Sequence, residues 1–361
     1  MNILQATQAY ERWSARQVPL MQADLRLKHA VMTQSAFSFL RATCYRWMQV
    51  WPDVCADLAT APALRAVADL HVENFGTWRD SEGRLIWGIN DFDEACVLPY
   101  ASDLVRLVVS AKLAGRAEHV AVKLDEASDA VLTGYLEGVR AGGRPFVLSE
   151  QHTWLREIAT NSLRDPVKFW KKMAALPMVQ GTVSGEVTDA LEQVMPEAGL
   201  SYSLRRRVSG LGSLGRPRFV ALAEWRGGKV AREAKRLIAS SALWARGQKG
   251  SGALLYQVML ERSVRCRDPF VCMEGPWLLR RLSPYCSRIE LTALPKKRDE
   301  GKLLYAMGWE TANVHLGDRQ QIKAVPRDLA ARTSTWLRKA AKAMTTRTLT
   351  DWKEWTVYHA G

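Results

Sequence analysis

Apolar residues recur at helical spacing over most of the first half of the chain. The pattern covers residues 1 to about 50, then 102–117 and much of 123–141, and a further helical region after residue 150 includes Trp154 and Trp170. Side chains three and four positions apart share one face of a helix, so each segment predicts a helix with a buried stripe. The first half is therefore expected to be mainly helical.

The middle of the chain has the character of β-structure. Residues 219–225 and 229–232 form two apolar-rich runs separated by Gly227 and Gly228, a pairing that predicts a β-hairpin. A helix around 252–264 and a strand over 277–282 are expected to follow. Helical spacing then returns through 303–315 and over most of the C-terminal sixty residues.

These patterns predict an α+β fold in three parts. Residues 1–200 form a mainly helical lobe, 201–290 a β-rich lobe, and 291–361 a set of C-terminal helices that pack back onto the first lobe. No apolar stretch approaches the roughly 20 residues that a membrane span requires. The N-terminus has no basic segment leading into an apolar run, so no signal or transit peptide is expected and the cytoplasm is the predicted location.

Composition adds two constraints. The six cysteines are scattered with no C-x-x-C pair, which is typical of reduced thiols and not of a zinc site. The 51 Lys and Arg residues outnumber the 37 Asp and Glu residues, and the formal charge of +14 favours a polyanionic partner. Nucleic acid, anionic lipid and nucleotide phosphates all meet that description, as does a simple solvated basic surface.

Two acidic motifs follow short apolar runs in the helical half. Asp69 and Asn74 are five positions apart. Asp91 lies at the end of the predicted strand 84–92, and Asp93 follows directly after it. Phosphoryl transfer needs a carboxylate to orient or deprotonate the attacking hydroxyl, and an amide and a carboxylate to hold Mg²⁺. The spacing matches the catalytic loop and the metal-binding Asp-Phe of protein kinases, with Asp69 as base and Asn74, Asp91 and Asp93 as metal ligands.

Two other interpretations of the acidic motifs stay open. Asp and Asn side chains also cap helices and start turns by accepting backbone hydrogen bonds. Alternatively, Asp91, Asp93, Glu94 and His71 could gather a hard metal ion for hydrolysis.

A glycine motif follows about 140 residues later. Gly210, Gly212 and Gly215, with Ser213 between them, form a G-x-G-x-x-G pattern between two β-rich runs. A dinucleotide-binding fingerprint runs from a strand into a helix, whereas a kinase glycine-rich loop runs from strand to strand. The context favours backbone N–H groups that approach ATP phosphates, although an ordinary glycine hairpin has the same pattern.

The strand after the hairpin carries Arg232 where a kinase has its phosphate-binding Lys. Arg can clamp a phosphate with its planar fork but does not replace a Lys neutrally. Lys235 lies one turn further along if a helix has begun by that point. Glu261, on the predicted helix 255–263, is the candidate partner of Arg232.

The order of these motifs differs from that of a standard kinase, because the catalytic and metal loops precede the glycine loop. That order predicts a circularly permuted, two-lobed, protein-kinase-like fold. Permutation is tolerated when the original termini lie close together at the surface.

The chain also resembles a family of mostly bacterial proteins known as domain of unknown function 2252. The resemblance covers most of the chain and rests on Phe37, Phe39 and Arg41; Asp69, His71, Glu73, Asn74 and Gly76; the segment 89–95; Asp103 and Arg106; the glycine loop; Arg232, Glu233 and Ala234; and Gly308, Ala312 and His315. That family looks related to aminoglycoside and choline kinases. The resemblance implies no particular substrate.

The resemblance implies roles for further residues. Asp103 would brace the catalytic loop, and Arg106 would be a structural neighbour on the same helix. In the family, the residue before the catalytic Asp is usually Gly, where this chain has Ala68, and the position of Arg232 is usually Lys.

The leading hypothesis is an ATP- and Mg²⁺-dependent phosphotransferase acting on a hydroxyl of an unidentified small-molecule or protein acceptor. A pseudokinase or nucleotide-sensing module without transfer activity is the first alternative, because of Arg232. The second alternative is a nucleic-acid-binding protein that stacks bases on Trp225, Trp244, Trp277 and Trp309.

Overall fold

A computed structural model of the chain describes residues 1–118, 123–149, 151–161, 165–248, 252–284, 286 and 300–360. The content of 53% helix and 16% strand, with the strands in small sheets, confirms the predicted α+β class. Within these ranges no helix combines the length and the apolar character needed to cross a bilayer.

Helices occupy both ends of the described chain. Their bounds are α1 Ile3–Ala15, α2 Gln22–Gln34, α3 Ala36–Ala42, α4 Cys44–Val54, α5 Tyr100–Glu118, α6 Leu124–Ala141, α7 Thr153–Asn161, α8 Pro166–Ala174, α9 Gly185–Gln193, α10 Ser241–Ala245, α11 Tyr256–Arg262, α12 Glu300–His315, α13 Val325–Ala331 and α14 Trp336–Ala360. The local sequence explains where α1 begins, because Asn2 and Gln5 form a reciprocal capping box at its N-terminus. The predicted helices over 102–117, 123–141 and 303–315 are confirmed.

Strands fall into three antiparallel sheets. Their bounds are β1 Ala63–Ala66, β2 Phe75–Arg79, β3 Leu85–Ile89, β4 Cys96–Pro99, β5 Phe146–Val147, β6 Ser203–Arg206, β7 Arg218–Trp225, β8 Gly228–Arg236, β9 Val271–Glu274 and β10 Trp277–Leu282. Strand β1 pairs with β4, β3 lies between β2 and β5, and the remaining five strands form one sheet in the order β6-β7-β8-β10-β9.

The five-stranded sheet contains the predicted hairpin. Trp225 pairs with Gly228, and both residues of the turn, Arg226 and Gly227, have positive φ, as a tight two-residue hairpin turn requires. Strand β8 does not stop near residue 232, as predicted, but continues to Arg236, because it pairs with β7 on one side and β10 on the other. The strand-to-strand context of the glycine motif is confirmed by the pairing of β6 with β7.

Helix α5 is the central element of the helical part, by which we mean the described residues outside 179–284. Leu104, Val105, Leu107 and Val108 are fully buried, and α3, α6 and α14 pack around the helix. Burying each such side chain contributes roughly 1.5–3 kcal/mol. The position of α5 is therefore firmly set, and with it the side chains on its first turn.

The five-stranded sheet has a core of its own with helix α9. Val187, Ala190 and Leu191 of α9 pack against apolar residues of β7, β8 and β10, including Ala221 and Leu279. We call residues 179–284, which contain this sheet and α9, the sheet part. Helix α9 lies before residue 200, the predicted boundary, but packs on the sheet.

Candidate functional site

The segment that carries Asp69, residues 67–74, is fixed from behind by a buried carboxylate. We call it the Asp69 loop. Asp103 on the first turn of α5 accepts hydrogen bonds from the backbone N–H groups of Val67, at 2.7 Å, and Ala68, at 2.8 Å. A buried carboxylate is costly unless hydrogen-bonded, and the two N–H groups together with His315 meet that need. The bracing contact that the resemblance implied for Asp103 is present.

His315 extends this support into the helical core. Its Nε2 lies 3.0 Å from an oxygen of Asp103, and its Nδ1 lies 2.9 Å from the hydroxyl of Tyr135. With the proton on Nε2, the ring donates to Asp103 and accepts from Tyr135, so each polar atom has a partner. The chain of contacts links the Asp69 loop to α5, α12 and α6.

Ala68 adopts a backbone conformation that normally favours glycine. Its φ is +70°, in the left-handed region, where a side chain costs roughly 1–2 kcal/mol. The hydrogen bond from Ala68 N–H to Asp103 holds this conformation. A glycine at this position would adopt the same conformation without that cost.

Arg106 binds the predicted base directly. It lies one turn after Asp103 on α5, forms an ion pair with Asp69 and donates to the Leu40 carbonyl at 2.9 Å. Burial raises the pKa of the Asp69 carboxyl to about 7, although Arg106 lowers it. Sequence reasoning assigned Arg106 only a neighbouring role, because a contact between side chains 37 positions apart leaves no local signal.

Asn74 is tied to the same loop. Its side-chain nitrogen donates to the Asp69 carbonyl oxygen at 2.6 Å, so the carboxamide oxygen points away from that backbone. This hydrogen bond closes the segment between Asp69 and Asn74 into a loop, which ends in a short 3-10 helix, Val72–Asn74.

The second acidic segment, residues 90–95, meets a lysine from the sheet part. We call it the Asp91 loop. Lys235 of β8 forms an ion pair with Asp93, and its ammonium lies 3.7 Å from an oxygen of Asp91. Burial and then the charge of Asp91 raise the pKa of Asp93 to about 6, while Lys235 lowers it. Burial also lowers the pKa of Lys235, against the effect of Asp91 and Asp93.

Asp93 has one oxygen that suits a cation. Its Oδ1 is buried and has no hydrogen-bond partner among the described residues. A buried carboxylate oxygen in this condition is costly, and a hard cation such as Mg²⁺ prefers oxygen ligands. The donor set of Asn74, Asp91 and Asp93 therefore fits the predicted metal.

Of the two cationic residues of β8 considered for phosphate binding, Lys235 and not Arg232 approaches the acidic loops. Arg232 donates from Nε to the Val194 carbonyl at 2.7 Å and stacks over Phe270. Successive strand residues point to opposite faces, so Arg232 faces away while Lys235, three positions on, faces the acidic loops. No helix has begun at Lys235, since β8 runs to Arg236, so the one-turn relation considered for Lys235 does not apply.

Glu261 does not serve as the partner of Arg232. Its carboxylate accepts from the Gln257 side chain at 2.7 Å on the exposed face of α11. Between these two described side chains no ion pair forms, so the expected pair is not present. Neither residue lines the cavity formed by the acidic loops.

The glycine loop, residues 209–215, lies directly on the Asp69 loop. A Cβ on Gly212 would stand 3.4 Å from an oxygen of Asp69 and 3.2 Å from the Arg41 carbonyl oxygen. Gly210 and Gly215 have φ of +79° and +97°, which other residues rarely adopt. Glycine is thus favoured at the two bends, and a side chain at residue 212 would be tight against the Arg41 carbonyl oxygen.

Helix α2 holds the glycine loop from its other side. Lys28 donates to the Gly212 carbonyl at 3.3 Å, and the backbone N–H of Met21 donates to the Gly215 carbonyl at 2.8 Å. Burial lowers the pKa of Lys28 to about 8, while Glu11 raises it. No feature of the sequence pattern near residue 28 indicated this contact.

One cavity brings most of the predicted residues together. It encloses about 580 Å³ of empty space, including the part open to solvent. Its lining includes Asp69, Asn74, Asp91, Asp93, Gly210, Gly212 and Ser213. We call it the acidic cavity; Asp103, Gly215, Arg232 and Glu261 are not part of its lining.

A hydrolytic metal centre is not formed by the described residues. No group of three or more His, Cys, Asp or Glu side chains among them is arranged to hold a metal ion. Glu94 instead accepts from the Ser241 backbone N–H at 2.6 Å and lies 3.5 Å from Arg216. The proposed cluster of Asp91, Asp93, Glu94 and His71 is therefore not found.

Comparison with known proteins identifies one family. No curated protein and no solved structure matches the chain. Residues 20–166 match a family described as "Uncharacterized protein conserved in bacteria (DUF2252)". The matched segment contains both acidic loops and Asp103, so the resemblance to DUF2252 is confirmed over residues 20–166.

Proposed function

We propose that the protein is a phosphotransferase of permuted kinase-like architecture that uses ATP and Mg²⁺ and acts on a hydroxyl of an unidentified acceptor. One observation carries the proposal. The glycine loop, about 140 residues away along the chain, lies against Asp69 in the cavity that Asn74, Asp91 and Asp93 also line. A glycine loop, a base and oxygen ligands in one cavity are the parts that phosphoryl transfer requires.

Asp69 is the proposed base. Its pKa of about 7 suits proton exchange at neutral pH, because a general base works best when its pKa lies near the working pH. Arg106 holds one carboxylate oxygen, and the other faces Gly212 in the glycine loop. That second oxygen is placed to accept the proton of a hydroxyl that enters beside the glycine loop.

Asn74, Asp91 and Asp93 are the residues that would hold Mg²⁺. When bound, Mg²⁺ would neutralise the negative charge of the phosphates. The side chains are pre-positioned for that role, Asn74 by the Asp69 carbonyl and the two carboxylates by Lys235. Preorganised charges of this kind supply most of the stabilisation in phosphoryl transfer.

Lys235 is the proposed phosphate ligand in place of Arg232. In kinases the phosphate-binding Lys lies on the third strand, after the two strands that flank the glycine loop. Strands β6 and β7 flank the glycine loop here, and β8, the next strand, carries Lys235. The pseudokinase alternative rested on Arg at the Lys position, and under this proposal Lys235 would take the role of that Lys.

The nucleic-acid alternative gains no support from two of its four tryptophans. Trp277 is buried in the core between the sheet and α9, and Trp244 packs edge-on against Tyr10 and Tyr45. Neither is exposed as a surface on which bases could stack.

Thermal unfolding with and without ATP and Mg²⁺ tests the nucleotide site. A ligand that binds only the native state raises the unfolding midpoint. We expect a metal-dependent rise that Asp91→Ala abolishes and Asp69→Asn preserves. No rise with any nucleotide would contradict the proposal.

Transfer itself requires a second readout. With ATP and Mg²⁺ present, we expect slow release of inorganic phosphate, or phosphate incorporation when candidate acceptors are supplied. Asp69→Asn should abolish either signal while leaving nucleotide affinity within a few-fold. Equal phosphate release by the wild type and Asp69→Asn would show that Asp69 is not the base.

A further inference from the structure

A second, larger cavity adjoins the acidic cavity. It shares Asp91 and Gly210 with it and encloses about 1360 Å³ of empty space, including the part open to solvent. We call it the basic cleft, because its lining includes six cationic side chains: Lys172, Arg207, Arg218, Arg265, Arg280 and Arg281. Among the described lining residues the carboxylates are Asp91 and Asp268, so positive charge predominates.

Glu233 behind the cleft offsets only part of this charge. Its carboxylate forms ion pairs with Arg207, Arg218 and Arg280, three guanidinium groups for one negative charge. Burial by itself raises the pKa of Glu233, but Arg280, Arg207 and Arg218 lower it well below its usual range. A cleft lined by one sign of charge concentrates counter-ions, and here it favours anions.

Two arginines of the cleft, Arg265 and Arg281, form no ion pair with a described carboxylate, and Arg265 has two buried nitrogens without an acceptor where Arg281 has one. Arg265 stacks over the rings of Trp78 and Phe92, with its guanidinium carbon 4.5 Å and 5.3 Å from the two ring centres. Its Nε and Nη1 are buried, and no described residue accepts a hydrogen bond from either. Burial lowers the pKa of Arg265, while the charge of Glu310 raises it.

A guanidinium that lines the cleft and has two nitrogens without an acceptor is suited to an oxyanion. Leaving a buried charged donor without an acceptor is unfavourable, and an anion that reaches the guanidinium lowers that penalty. The planar fork of an arginine can pair two N–H groups with two oxygens of a phosphate or a carboxylate. The contacts with Trp78 and Phe92 restrict the side chain before the ligand arrives, which lowers the entropy lost on binding.

We propose that the basic cleft binds a small molecule through an oxyanion group, a phosphate or a carboxylate, that pairs with Arg265. Lys172, exposed on α8 at the cleft, adds attraction over a longer range. Two sources have this chemistry: the phosphate chain of a nucleotide, or an acceptor that carries its own anionic group. Where the anion belongs to an acceptor, the inference rests on the proposed transfer and narrows the acceptors to anionic small molecules.

Calorimetric titration with pyrophosphate at low salt tests the site. We compare the wild type with Arg265→Met, which keeps an apolar stem between the rings, and with Arg262→Met as control. Arg262 is exposed at the end of α11 and lies outside the cleft. Its replacement by Met therefore makes the same chemical change without altering the cleft. We expect Arg265→Met to weaken pyrophosphate binding about tenfold or more and Arg262→Met to leave it unchanged.

Two further variants keep the test decisive if Arg265→Met folds poorly. Arg265→Lys retains the charge but loses the fork, and it should bind with intermediate affinity. Lys172→Met changes an exposed side chain and should weaken binding a few-fold while reducing its salt dependence. The proposal is overturned if the wild type does not bind pyrophosphate, or if folded Arg265 variants bind it as the wild type does.

Competition with ATP separates the two sources of the anion. Displacement of pyrophosphate by ATP assigns the oxyanion to the nucleotide, whereas simultaneous binding assigns it to a second ligand; both outcomes support the site. Asp91→Ala separates this inference from the proposed function. It should abolish the metal-dependent effect of ATP but retain pyrophosphate binding, because it removes a negative charge from the cleft.

Discussion

The two acidic loops of the site are held by different parts of the molecule. The Asp69 loop is fixed from within the helical part, where Asp103 binds its backbone and Arg106 binds its carboxylate. The Asp91 loop also starts in the helical part, but its carboxylates contact Lys235 on β8 of the sheet part.

The Asp69 loop is thus anchored within the helical part, whereas the Asp91 loop connects the helical part to the sheet part. The hydrogen bonds and the ion pair that hold the Asp69 loop come from helix α5 in the helical part, whereas the sheet part contacts this loop through the glycine loop. The carboxylates of the Asp91 loop share a buried cation with the sheet, so their charge balance depends on it. Removing a contact of the first kind should therefore unfold the protein more readily than removing one of the second.

The largest effect is expected from Asp103→Ala. The change leaves the N–H groups of Val67 and Ala68 and the ring of His315 without their acceptor, and it should cost about 3–5 kcal/mol of unfolding free energy. Urea unfolding measures the loss, with exposed Asp129→Ala as control. A cost below about 1 kcal/mol would contradict the bracing role.

Asp69→Asn should shift the dependence of stability on pH. The carboxyl pKa is raised to about 7 in the folded protein, so ionisation destabilises the fold and the wild type loses stability as pH rises from 4 to 8. Because Asn cannot ionise, the variant should gain about 2–4 kcal/mol relative to the wild type over that range. Urea unfolding at both pH values measures this, and exposed Asp57→Asn should show no such gain.

Lys235→Met should have a smaller, pH-dependent effect on stability. It leaves Asp91 and Asp93 without their cation, which should cost about 2 kcal/mol at pH 8. At pH 5 the cost should shrink, because Asp93, with a pKa raised to about 6, takes up a proton. Thermal unfolding of this variant and of exposed Lys229→Met at both pH values checks the result; an equal cost at both values would exclude the charge pairing as its cause.

Ala68→Gly is expected to have the smallest effect. Relief of the left-handed conformation outweighs the extra flexibility of glycine in the unfolded chain, so we expect a gain of up to about 1 kcal/mol. The control is Ala59→Gly, at an exposed position with φ of −64°, which should destabilise by roughly 0.5–1 kcal/mol. If both variants lose stability equally, Ala68 carries no strain.

Local pattern predicted the elements well where the signal was strong. The hairpin around Gly227 and the helix that ends at His315 follow directly from apolar spacing and turn residues. Asp69, Asn74 and the glycine loop, which the sequence motifs singled out, line one cavity.

The position of Lys235 stayed open in the sequence because pairing between strands decides it, not local propensity. The segment around Glu233 and Lys235 contains good helix formers, but ladders with β7 and β10 keep it extended to Arg236. The contact of Arg106 with Asp69 could not be predicted from the sequence for a different reason, since it depends on how a helix packs against a distant loop. Neither outcome can be read from a single sequence window.

The first turn of α5 has a consequence for thermal motion. Asp103 and Arg106 lie one turn apart on a single rigid helix, and together they hold both the backbone and the carboxylate of the Asp69 loop. When α5 is displaced within the core, both anchors move by nearly the same vector. The orientation of the Asp69 carboxylate relative to the backbone of its loop is therefore insensitive to small displacements of α5.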